Sequence, residues 1–375
     1  MVYLDNAATT YPKPPEVTEA VVRCMMDFGG NPGRGSHRMA MLAAECVYTC
    51  REAAADLFGL TDPTRVVFTM NTTYALNMAI KCTVKPGDHV LIGNMEHNAV
   101  RRPVEKLARE GGITYDVFDA YGDTPTVMHS LKNHIHPNTR ALVCAHASNV
   151  CNKTAPLREI GAFCRSRGIC FIVDGAQSAG IHAVDMRRLP VDMYCVPGHK
   201  GLFGPQGCGM ILFGSDRYVT NATLVEGGSG IHSFESAMPR EMPEHFEAGT
   251  LPTPSIAGLA AGIRWVERVG VGEIHRHECF LFRRLYENLR NMSGVCLYDE
   301  TPGAVLLFRV KDRSPSEIAS HLDCAGICVR AGLHCAPMAH KVLGTGADGA
   351  IRVSFSAMNT EEDVTAFTDA LYHII

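Results

Sequence analysis

The chain has 375 residues, of which 46% are hydrophobic and 20% are charged, and its formal net charge at pH 7 is −4. This is the composition of a globular protein with room for two domains, and the small negative charge gives no reason to expect nucleic acid or an anionic membrane surface as a partner. No run of about 18 apolar residues and no signal-peptide pattern occurs, so we expect neither a membrane span nor secretion.

The cysteines and histidines are numerous, at 15 and 17, but their spacing does not match a known metal site. The sequence contains no CxxC pair and no HExxH motif. Many of the cysteines stand in apolar runs, where a thiol behaves as a small hydrophobic group. We therefore predict no metal site, and we expect free thiols in a reducing cytoplasm.

The first part of the chain predicts an extended segment followed by two helices. Residues 3–10 have no helical pattern and lead into three prolines. Apolar residues at helical spacing then predict helices over residues 17–28 and 39–58. The glycine-rich loop between the helices carries Arg34 and His37, and it is either an anion-binding loop or an ordinary turn.

From residue 65 onward, short apolar runs alternate with helical patterns. The predicted strands are residues 66–68, 90–92, 113–118, 141–145, 169–173, 193–196 and 207–213. Strands that alternate with helices predict an α/β layer with a mostly parallel, seven-stranded sheet. In such sheets, ligands bind outside the carboxyl ends of the strands.

The last third of the chain has a different pattern. Residues 214–253 are irregular and rich in Gly, Pro and Glu, which is typical of a functional loop or of a segment that contacts a partner. A helical stretch over residues 256–291 follows. Further strands (303–308, 327–330 and 351–355) then alternate with helices (314–322 and 360–372), and capping boxes begin both helices, at Ser314 and Thr360.

These patterns predict two domains. The large domain comprises residues 15–258, and a smaller α+β C-terminal domain comprises residues 259–375. The N-terminal segment, residues 1–14, joins them.

Polar side chains follow the predicted strands at the edge where the carboxyl ends meet. They are Thr72, Thr73, His97, Asn149, Asp174, Gln177, His199 and Lys200. An acid at one strand end and a lysine at another form the pair that pyridoxal 5′-phosphate (PLP) requires. The lysine makes the Schiff base, and the carboxylate keeps the pyridine nitrogen protonated so that the ring can accept electrons.

Several of these side chains also have an ordinary structural interpretation. Thr72 and Thr73 stand before a helix, where hydroxyl and N–H groups suit a phosphate but also a helix cap. His97 either stacks on the pyridine ring or moves protons, or it is a loop histidine without either role. Arg352 and Arg330 can each hold an α-carboxylate through two parallel hydrogen bonds, or form a surface ion pair.

Cys335 differs from the other cysteines because it stands in a loop after a predicted strand. Arg330, His334 and His340 are close to it in sequence, and positive neighbours favour the reactive thiolate. The local pattern leaves two interpretations open: a catalytic nucleophile or a loop cysteine without a role in catalysis.

Ten segments, in the same order along the chain, resemble the class V aminotransferase fold, the PLP-dependent transferase fold of type I. Within it they are similar to the cysteine desulfurase/selenocysteine lyase family. The segments are residues 3–9, 34–37, 72–73, 96–97, 146–149, 174–177, 198–200, 246–250, 330–335 and 352 with 359–360. The short loop that carries Cys335 resembles that of group II of the family.

The resemblance implies a role for each site residue. Lys200 would form the Schiff base and move the proton at Cα, Asp174 would bind the pyridine nitrogen, and Gln177 would bind the ring O3′. His97 would stack on the ring. The phosphate would be held by four residues, Thr72, Thr73, His199 and, from the other subunit of a homodimer, Thr250. The substrate carboxylate would be held by Arg352 and Asn149, with Arg330 as a further candidate.

The activity implied is that of a cysteine desulfurase. Cys335 would attack the sulfur of L-cysteine, which gives L-alanine and an enzyme persulfide that passes to a small acceptor protein. The sequence departs from the family at Pro197, where a phosphate-binding Ser is usual, and at Leu333, where a His is usual. The alternatives are a selenocysteine lyase acting on L-selenocysteine, an aminotransferase or β-lyase of the same fold, and a PLP-binding scaffold without turnover.

Overall fold

The computed structural model describes residues 1–33, 35–218, 220 and 222–375. The interpretation of Arg34 as part of an anion-binding loop therefore lies outside the described residues. The chain begins with β1 (Val2–Tyr3), α1 (Pro15–Asp27) and α2 (Arg38–Phe58). Both predicted N-terminal helices are confirmed.

Alternating strands and helices form the large sheet and its two covering layers. The elements are β2 (Val66–Thr69), α3 (Thr72–Thr83), β3 (His89–Gly93), α4 (Asn98–Arg109), β4 (Thr114–Phe118), α5 (Thr124–Asn133), β5 (Thr139–Ala145), α6 (Leu157–Arg167), β6 (Cys170–Asp174), β7 (Met193–Pro197) and β8 (Gly209–Phe213). The strand order is β2-β8-β7-β6-β5-β3-β4, and β8 alone of these seven runs against its neighbours. The predicted α/β class with a mostly parallel seven-stranded sheet is confirmed.

The strands read as continuous apolar runs because both faces of the sheet are covered. Every residue of β6, β7 and β8 is buried. Successive residues of β5 point to opposite sides, so that Leu142 joins one hydrophobic cluster and Val143 the other. Parallel sheets that carry helices on both faces have this pattern, and it leaves the strand ends as the places where polar side chains collect.

The remaining chain forms helices around two small sheets. The elements are α7 (Thr253–Val269), α8 (Val271–Arg290), β9 (Val295–Leu297), β10 (Val305–Val310), α9 (Pro315–Cys324), β11 (Ile327–Cys328), β12 (Arg330–Gly332), α10 (Pro337–Leu343), β13 (Ala350–Ser354) and α11 (Glu361–Ile374). Strands β12-β13-β10-β9 form an antiparallel sheet, and β1 pairs in parallel with β11. This mixture is the predicted smaller α+β part.

Two predicted elements are divided in the structure. The helical stretch predicted over residues 256–291 is two helices, because Gly270 between them has a φ of 92°, which glycine adopts without steric cost. The strand predicted over residues 327–330 is interrupted at Val329. Its first half pairs with β1 and its second half with β13.

Of the two predicted capping boxes, one is present. The capping box at Thr360 is present, whereas the one predicted at Ser314 is wrong, because its side chain makes no cap hydrogen bond. Strand β9 and helix α10 were not predicted.

The predicted boundary between residues 258 and 259 falls inside α7, and the division into two domains stays a prediction. No helix in the described parts of the chain combines the length and apolar character needed to cross a membrane.

The N-terminal segment connects the small sheets to the strand ends of the large one. Asn6 Nδ2 donates to the Ser354 carbonyl and to Asn359 Oδ1, both at 3.0 Å. Four residues further along, the Thr10 N–H donates to the His199 carbonyl at 3.1 Å. The segment therefore bridges both parts of the protein beside Lys200.

A buried ion pair holds the long irregular segment that follows β8. Arg51 on α2 donates two hydrogen bonds to the Glu247 carboxylate, at 2.9 and 2.6 Å, and the two side chains are 7% and 6% exposed. Glu247 Oε1 also accepts from the Phe68 N–H at 2.6 Å, and Arg51 lies over the Phe68 ring and donates to the Val66 carbonyl. These contacts attach the segment to β2.

We expect the substitution Glu247→Gln to cost about 3–5 kcal/mol of stability, because it leaves the Arg51 guanidinium buried without its counter-charge. The midpoint of urea denaturation measures this loss. The control is Glu287→Gln, which removes an exposed ion pair with Arg290 and should change stability by less than about 0.5 kcal/mol. Equal midpoints for the two variants would contradict the prediction.

Candidate active site

The carboxyl ends of the parallel strands line a pocket with about 560 Å³ of empty space. Eight of the predicted site residues line it: Thr72, Thr73, His97, Asn149, Asp174, Gln177, His199 and Lys200. Residues separated by more than a hundred positions meet here because their strands end at the same edge of the sheet.

Asp174 and Lys200 come from neighbouring parallel strands. Asp174 ends β6, is 4% exposed, and its Oδ1 accepts a hydrogen bond from the Ala176 N–H at 2.9 Å. Burial raises the pKa of Asp174, although the Lys200 charge acts against this shift. Burial also lowers the pKa of Lys200 to about 8, against the opposing effect of Asp174. The pocket thus contains a buried acid and an amine that loses its proton far more easily than an exposed lysine does.

The phosphate-binding group predicted at the start of α3 has unused hydrogen-bonding capacity. Asn71 caps this helix by accepting from the Tyr74 N–H at 3.0 Å. The other N–H groups of the first turn have no partners inside the helix. Thr72 Oγ1 and His199 Nδ1 are buried and have no hydrogen-bond partner among the described residues. Burial lowers the pKa of His199 to about 4, so its ring is neutral. Buried polar groups without partners are rare, and a helix N-terminus favours an anion.

His97 presents a neutral ring to the pocket. Its Nδ1 accepts from the Ala99 N–H at 3.0 Å as the N-cap of α4, which leaves the proton on Nε2. Burial lowers the pKa of His97 to about 4, and the positive charges of Lys200 and Arg330 add to this effect. Glu96, which the sequence gave no separate role, is fully buried behind it and accepts from the Ala145 N–H at 2.9 Å.

Arg352 is buried, is not among the residues that line the pocket, and already has protein partners. It is 1% exposed and donates to Asp5 Oδ1 at 2.8 Å and to the Asn149 carbonyl at 3.0 Å, while its Nε has no partner among the described residues. The Asn149 side chain donates to the His334 carbonyl at 2.8 Å. Asp5 was not predicted as a site residue, and its one sequence signal was its place in the N-terminal segment of the resemblance.

Cys335 lies on a tight turn that is attached to the pocket wall. His334 and Cys335 have φ values of 50° and 56°, in the left-handed region, which costs roughly 1–2 kcal/mol per residue. The Asn98 N–H donates to the Cys335 carbonyl at 2.8 Å, which places the turn beside His97. The Cys335 side chain is exposed, and Arg330 Nη2 lies 3.8 Å from its Sγ.

A line of hydrogen bonds under the turn orients His334. Its Nε2 lies 3.1 Å from the Arg330 carbonyl and its Nδ1 lies 3.0 Å from His340 Nε2, whose Nδ1 is in turn 2.7 Å from Thr345 Oγ1. Burial lowers the pKa of His334 to about 3 and that of His340 to about 4. Two of the three expected positive neighbours of Cys335 are therefore neutral supports, and Arg330 carries the charge.

Thr250 was predicted as a site residue but lies outside the pocket of its own chain, whereas Lys13 contacts a pocket residue and was not predicted. Thr250 is exposed, does not line the pocket of its own chain, and its Oγ1 accepts from Asn31 Nδ2 at 3.2 Å. Lys13, which the sequence did not single out, donates to Thr10 Oγ1 at 2.6 Å and to the His199 carbonyl at 2.9 Å. Burial lowers the pKa of Lys13 to about 8. Nothing in the local pattern around Lys13 distinguishes it from a surface lysine.

Comparison with known proteins agrees with this geometry over the full chain. The model of the aminotransferase class-V family matches residues 2–367. A probable cysteine desulfurase from Methanothermobacter thermautotrophicus is 31% identical over 382 residues, which cover 100% of this chain and 94% of that protein. A second, from Halalkalibacterium halodurans, is 31% identical over 379 residues, with 99% and 92% covered.

Solved structures give the same result. The apo structure of a cysteine desulfurase from Thermococcus onnurineus has a TM-score of 0.91 and 31% identity, and the match covers 100% of this chain and 94% of that one. The cysteine desulfurase CsdA from Escherichia coli has a TM-score of 0.89 and 28% identity, with 99% and 94% covered. The transferase fold expected from the resemblance is confirmed. The chain belongs to the aminotransferase class-V family and, within it, to the group of enzymes that includes the cysteine desulfurases.

Proposed function

We propose that the chain is a PLP-dependent cysteine desulfurase, which converts L-cysteine to L-alanine and leaves the sulfur as a persulfide on Cys335. One observation carries the proposal. The pocket contains the Asp174 carboxyl, which ends β6, and the Lys200 amine, which follows the neighbouring strand β7, and Asn149 in its wall donates a hydrogen bond to the His334 carbonyl of the Cys335 turn. The named relatives support the same activity.

The residues of the pocket fit PLP, which when bound supplies an electron sink for the charge that develops at the substrate Cα. Thr72 Oγ1 and the first N–H groups of α3 are unused donors that suit its phosphate, together with Thr73, and His199 Nδ1 is a further donor in the tautomer that carries its proton there. Asp174 would hold the pyridine nitrogen. Gln177 lines the same wall, and its Nε2 donates to the Ala7 carbonyl at 3.0 Å. Pro197 offers no hydroxyl, so the phosphate depends on the remaining donors.

Lys200 would hold the cofactor covalently and, once released by the substrate, would take the proton from Cα. A general base must be uncharged to accept a proton. With a pKa of about 8, the Lys200 amine is neutral in roughly 10% of the protein molecules at pH 7. At the ordinary pKa of a lysine, the neutral fraction would be less than about 0.1%. The neutral ring of His97 would stack on the cofactor. Arg352 and Asn149 would bind the substrate carboxylate. In doing so, Arg352 would give up its contact with Asp5, and Asn149 its contact with the His334 carbonyl.

Cys335 would carry out the sulfur transfer. Its sulfur attacks the sulfur of the bound cysteine, the carbon–sulfur bond of the substrate breaks, and the electron pair stays with the carbon that becomes the methyl group of alanine. Arg330, 3.8 Å from Sγ, supplies positive charge beside the attacking sulfur. The exposed position of Cys335 would let an acceptor protein reach the persulfide. All fifteen cysteines are free thiols, which supports a reducing compartment such as the cytoplasm.

A homodimer would complete the phosphate site. Thr250 is exposed and lies outside the pocket of its own chain, on the segment that Glu247 anchors. Large apolar side chains on the first two helices and in this segment are also exposed, among them Met26, Met41 and Phe234. A second chain that covers them would bring its own Thr250 to the neighbouring pocket.

We expect Cys335→Ala to keep the absorbance of bound PLP and to lose alanine and sulfide formation from L-cysteine, because the nucleophile alone is removed. The matched control is Cys324→Ala, which removes another exposed thiol and should turn over cysteine as the unchanged enzyme does. Full cysteine turnover by Cys335→Ala would exclude the persulfide mechanism. Alanine from L-selenocysteine alone, in both proteins, would identify a selenocysteine lyase instead.

We expect the rate at which PLP reconstitutes the cofactor-free protein to rise with pH and to have its midpoint near pH 8, because the neutral Lys200 amine reacts. Arg330 holds the pKa of Lys200 down, so Arg330→Met should move the midpoint to higher pH. Stopped-flow absorbance at a series of pH values measures both. A midpoint near 10 in the unchanged protein would show that burial does not activate the amine.

We expect mixed dimers of Lys200→Ala and Thr250→Ala chains to regain activity. If Thr250 serves the neighbouring pocket, one site of each mixed dimer carries both changes and the other carries neither. Co-expressed chains should therefore exceed the mean activity of the two separate variants, and light scattering should give the mass of two chains. An activity equal to that mean, or a fully active monomer, would exclude a shared site.

A further inference from the structure

A second group of side chains with ligand chemistry lies at the edge of the large sheet opposite Lys200. His89 begins β3, Asp116 lies on β4 and His136 precedes β5, and one ligand atom from each lies within 4.8 Å of the others. The parallel register pairs Leu91 with Asp116, so the side chains of His89 and Asp116 emerge on the same face of the sheet. The fold therefore brings together three residues that span 47 positions of sequence.

The Asp116 carboxylate lies at nearly the distances from the two imidazole nitrogens that separate neighbouring ligands of a tetrahedral metal ion. Asp116 Oδ2 lies 3.4 Å from His89 Nε2 and 2.9 Å from His136 Nε2. Zinc binds histidine and carboxylate ligands at about 2.0–2.1 Å, which places neighbouring ligands of a tetrahedron roughly 3.3–3.4 Å apart. The two imidazole rings stack with their centroids 4.2 Å apart.

His89 is buried, and its inward nitrogen makes no hydrogen bond within the part of the chain that the structure describes. It is 1% exposed, and its Nε2 has no hydrogen-bond partner among the described residues, although it faces Asp116. An unpaired buried nitrogen is costly, and a bound metal ion would satisfy it.

One hydroxyl contacts the His89 imidazole and the backbone of His136. Thr139 Oγ1 lies 2.8 Å from His89 Nδ1, the nitrogen that points away from the cluster, and it accepts from the His136 N–H at 2.8 Å. Metal-binding histidines usually have such a partner on their second nitrogen, which orients the ring and sets its tautomer. Thr139 itself is buried, with 9% exposure.

The ligand types indicate which metal the cluster would take. Two imidazoles and one carboxylate, with no thiolate, suit zinc and related transition metals, whereas magnesium and calcium prefer oxygen ligands alone. The side chains of Asp116 and His136 are 42% and 50% exposed, so an ion and a water ligand can enter from solvent. Three protein ligands with an open fourth position form a common zinc arrangement.

We propose that His89, Asp116 and His136 form a binding site for a divalent transition metal of the zinc type, which ties β3, β4 and the loop between α5 and β5 together. The site is separate from the pocket that contains Lys200. The proposal does not depend on the reaction proposed for that pocket.

The test is zinc binding to the chelator-treated holoenzyme, measured by competition with a chromophoric chelator. We expect one Zn²⁺ per chain in this site, and we expect His136→Ala and Asp116→Asn to weaken binding by at least about 100-fold, since loss of a supporting hydrogen bond alone costs about 10–100-fold. His129→Ala, which removes an exposed histidine of α5, is the matched control and should bind as the unchanged protein does.

Cobalt identifies the ligands in the same proteins, because thiolate ligands give an intense charge-transfer absorbance that nitrogen and oxygen ligands lack. We expect a tetrahedral Co²⁺ spectrum without this absorbance, and we expect the spectrum to disappear in His136→Ala. Three results would each overturn the proposal: no binding by the unchanged protein, binding that both variants retain, or a thiolate spectrum. The two substituted side chains are half exposed, so both variants should fold.

Discussion

The parallel arrangement of the central strands is the constraint on which the rest of the structure depends. It places the ends of β2, β3, β5, β6 and β7 at one edge, where their side chains line the pocket. Burial then determines the chemistry of these side chains. Burial moves the pKa of Lys200 down and that of Asp174 up, keeps His97 neutral, and leaves Thr72 and His199 with unused hydrogen-bonding capacity. One structural feature thus accounts for both the position and the reactivity of the group.

A continuous series of hydrogen bonds connects the N-terminal segment and the pocket to the turn that carries Cys335. Asp5 binds Arg352, Arg352 binds the Asn149 carbonyl, and the Asn149 side chain binds the His334 carbonyl next to Cys335. The same guanidinium and amide are the groups proposed to bind the substrate carboxylate. Arrival of a substrate would therefore compete with Asp5 and with the contact that holds the Cys335 turn, which couples substrate binding to the position of the sulfur.

Much of the fold and of the pocket could be predicted because each element has a local pattern of its own. The strands of the large sheet are short apolar runs. The residues at or just after their ends, such as Asp174 and Lys200, are polar, although packing of the core does not require polar side chains there. Where a local pattern fits two structures, the prediction was less accurate. The helical stretch broken at Gly270 and the strand divided at Val329 are both of this kind, since periodicity continues across a break that tertiary contacts impose.

The sequence by itself determined the α/β class, the order of the strands along the chain and the residues at the edge of the pocket, because hydrophobic periodicity and strand-end chemistry are local. The tertiary structure alone decided which distant groups meet. Asp5 and Arg352 are 347 residues apart, and His89 and His136 meet only through the register of β3, β4 and β5. Contacts of this kind depend on the three-dimensional path of the whole chain, and a local sequence pattern does not contain that information.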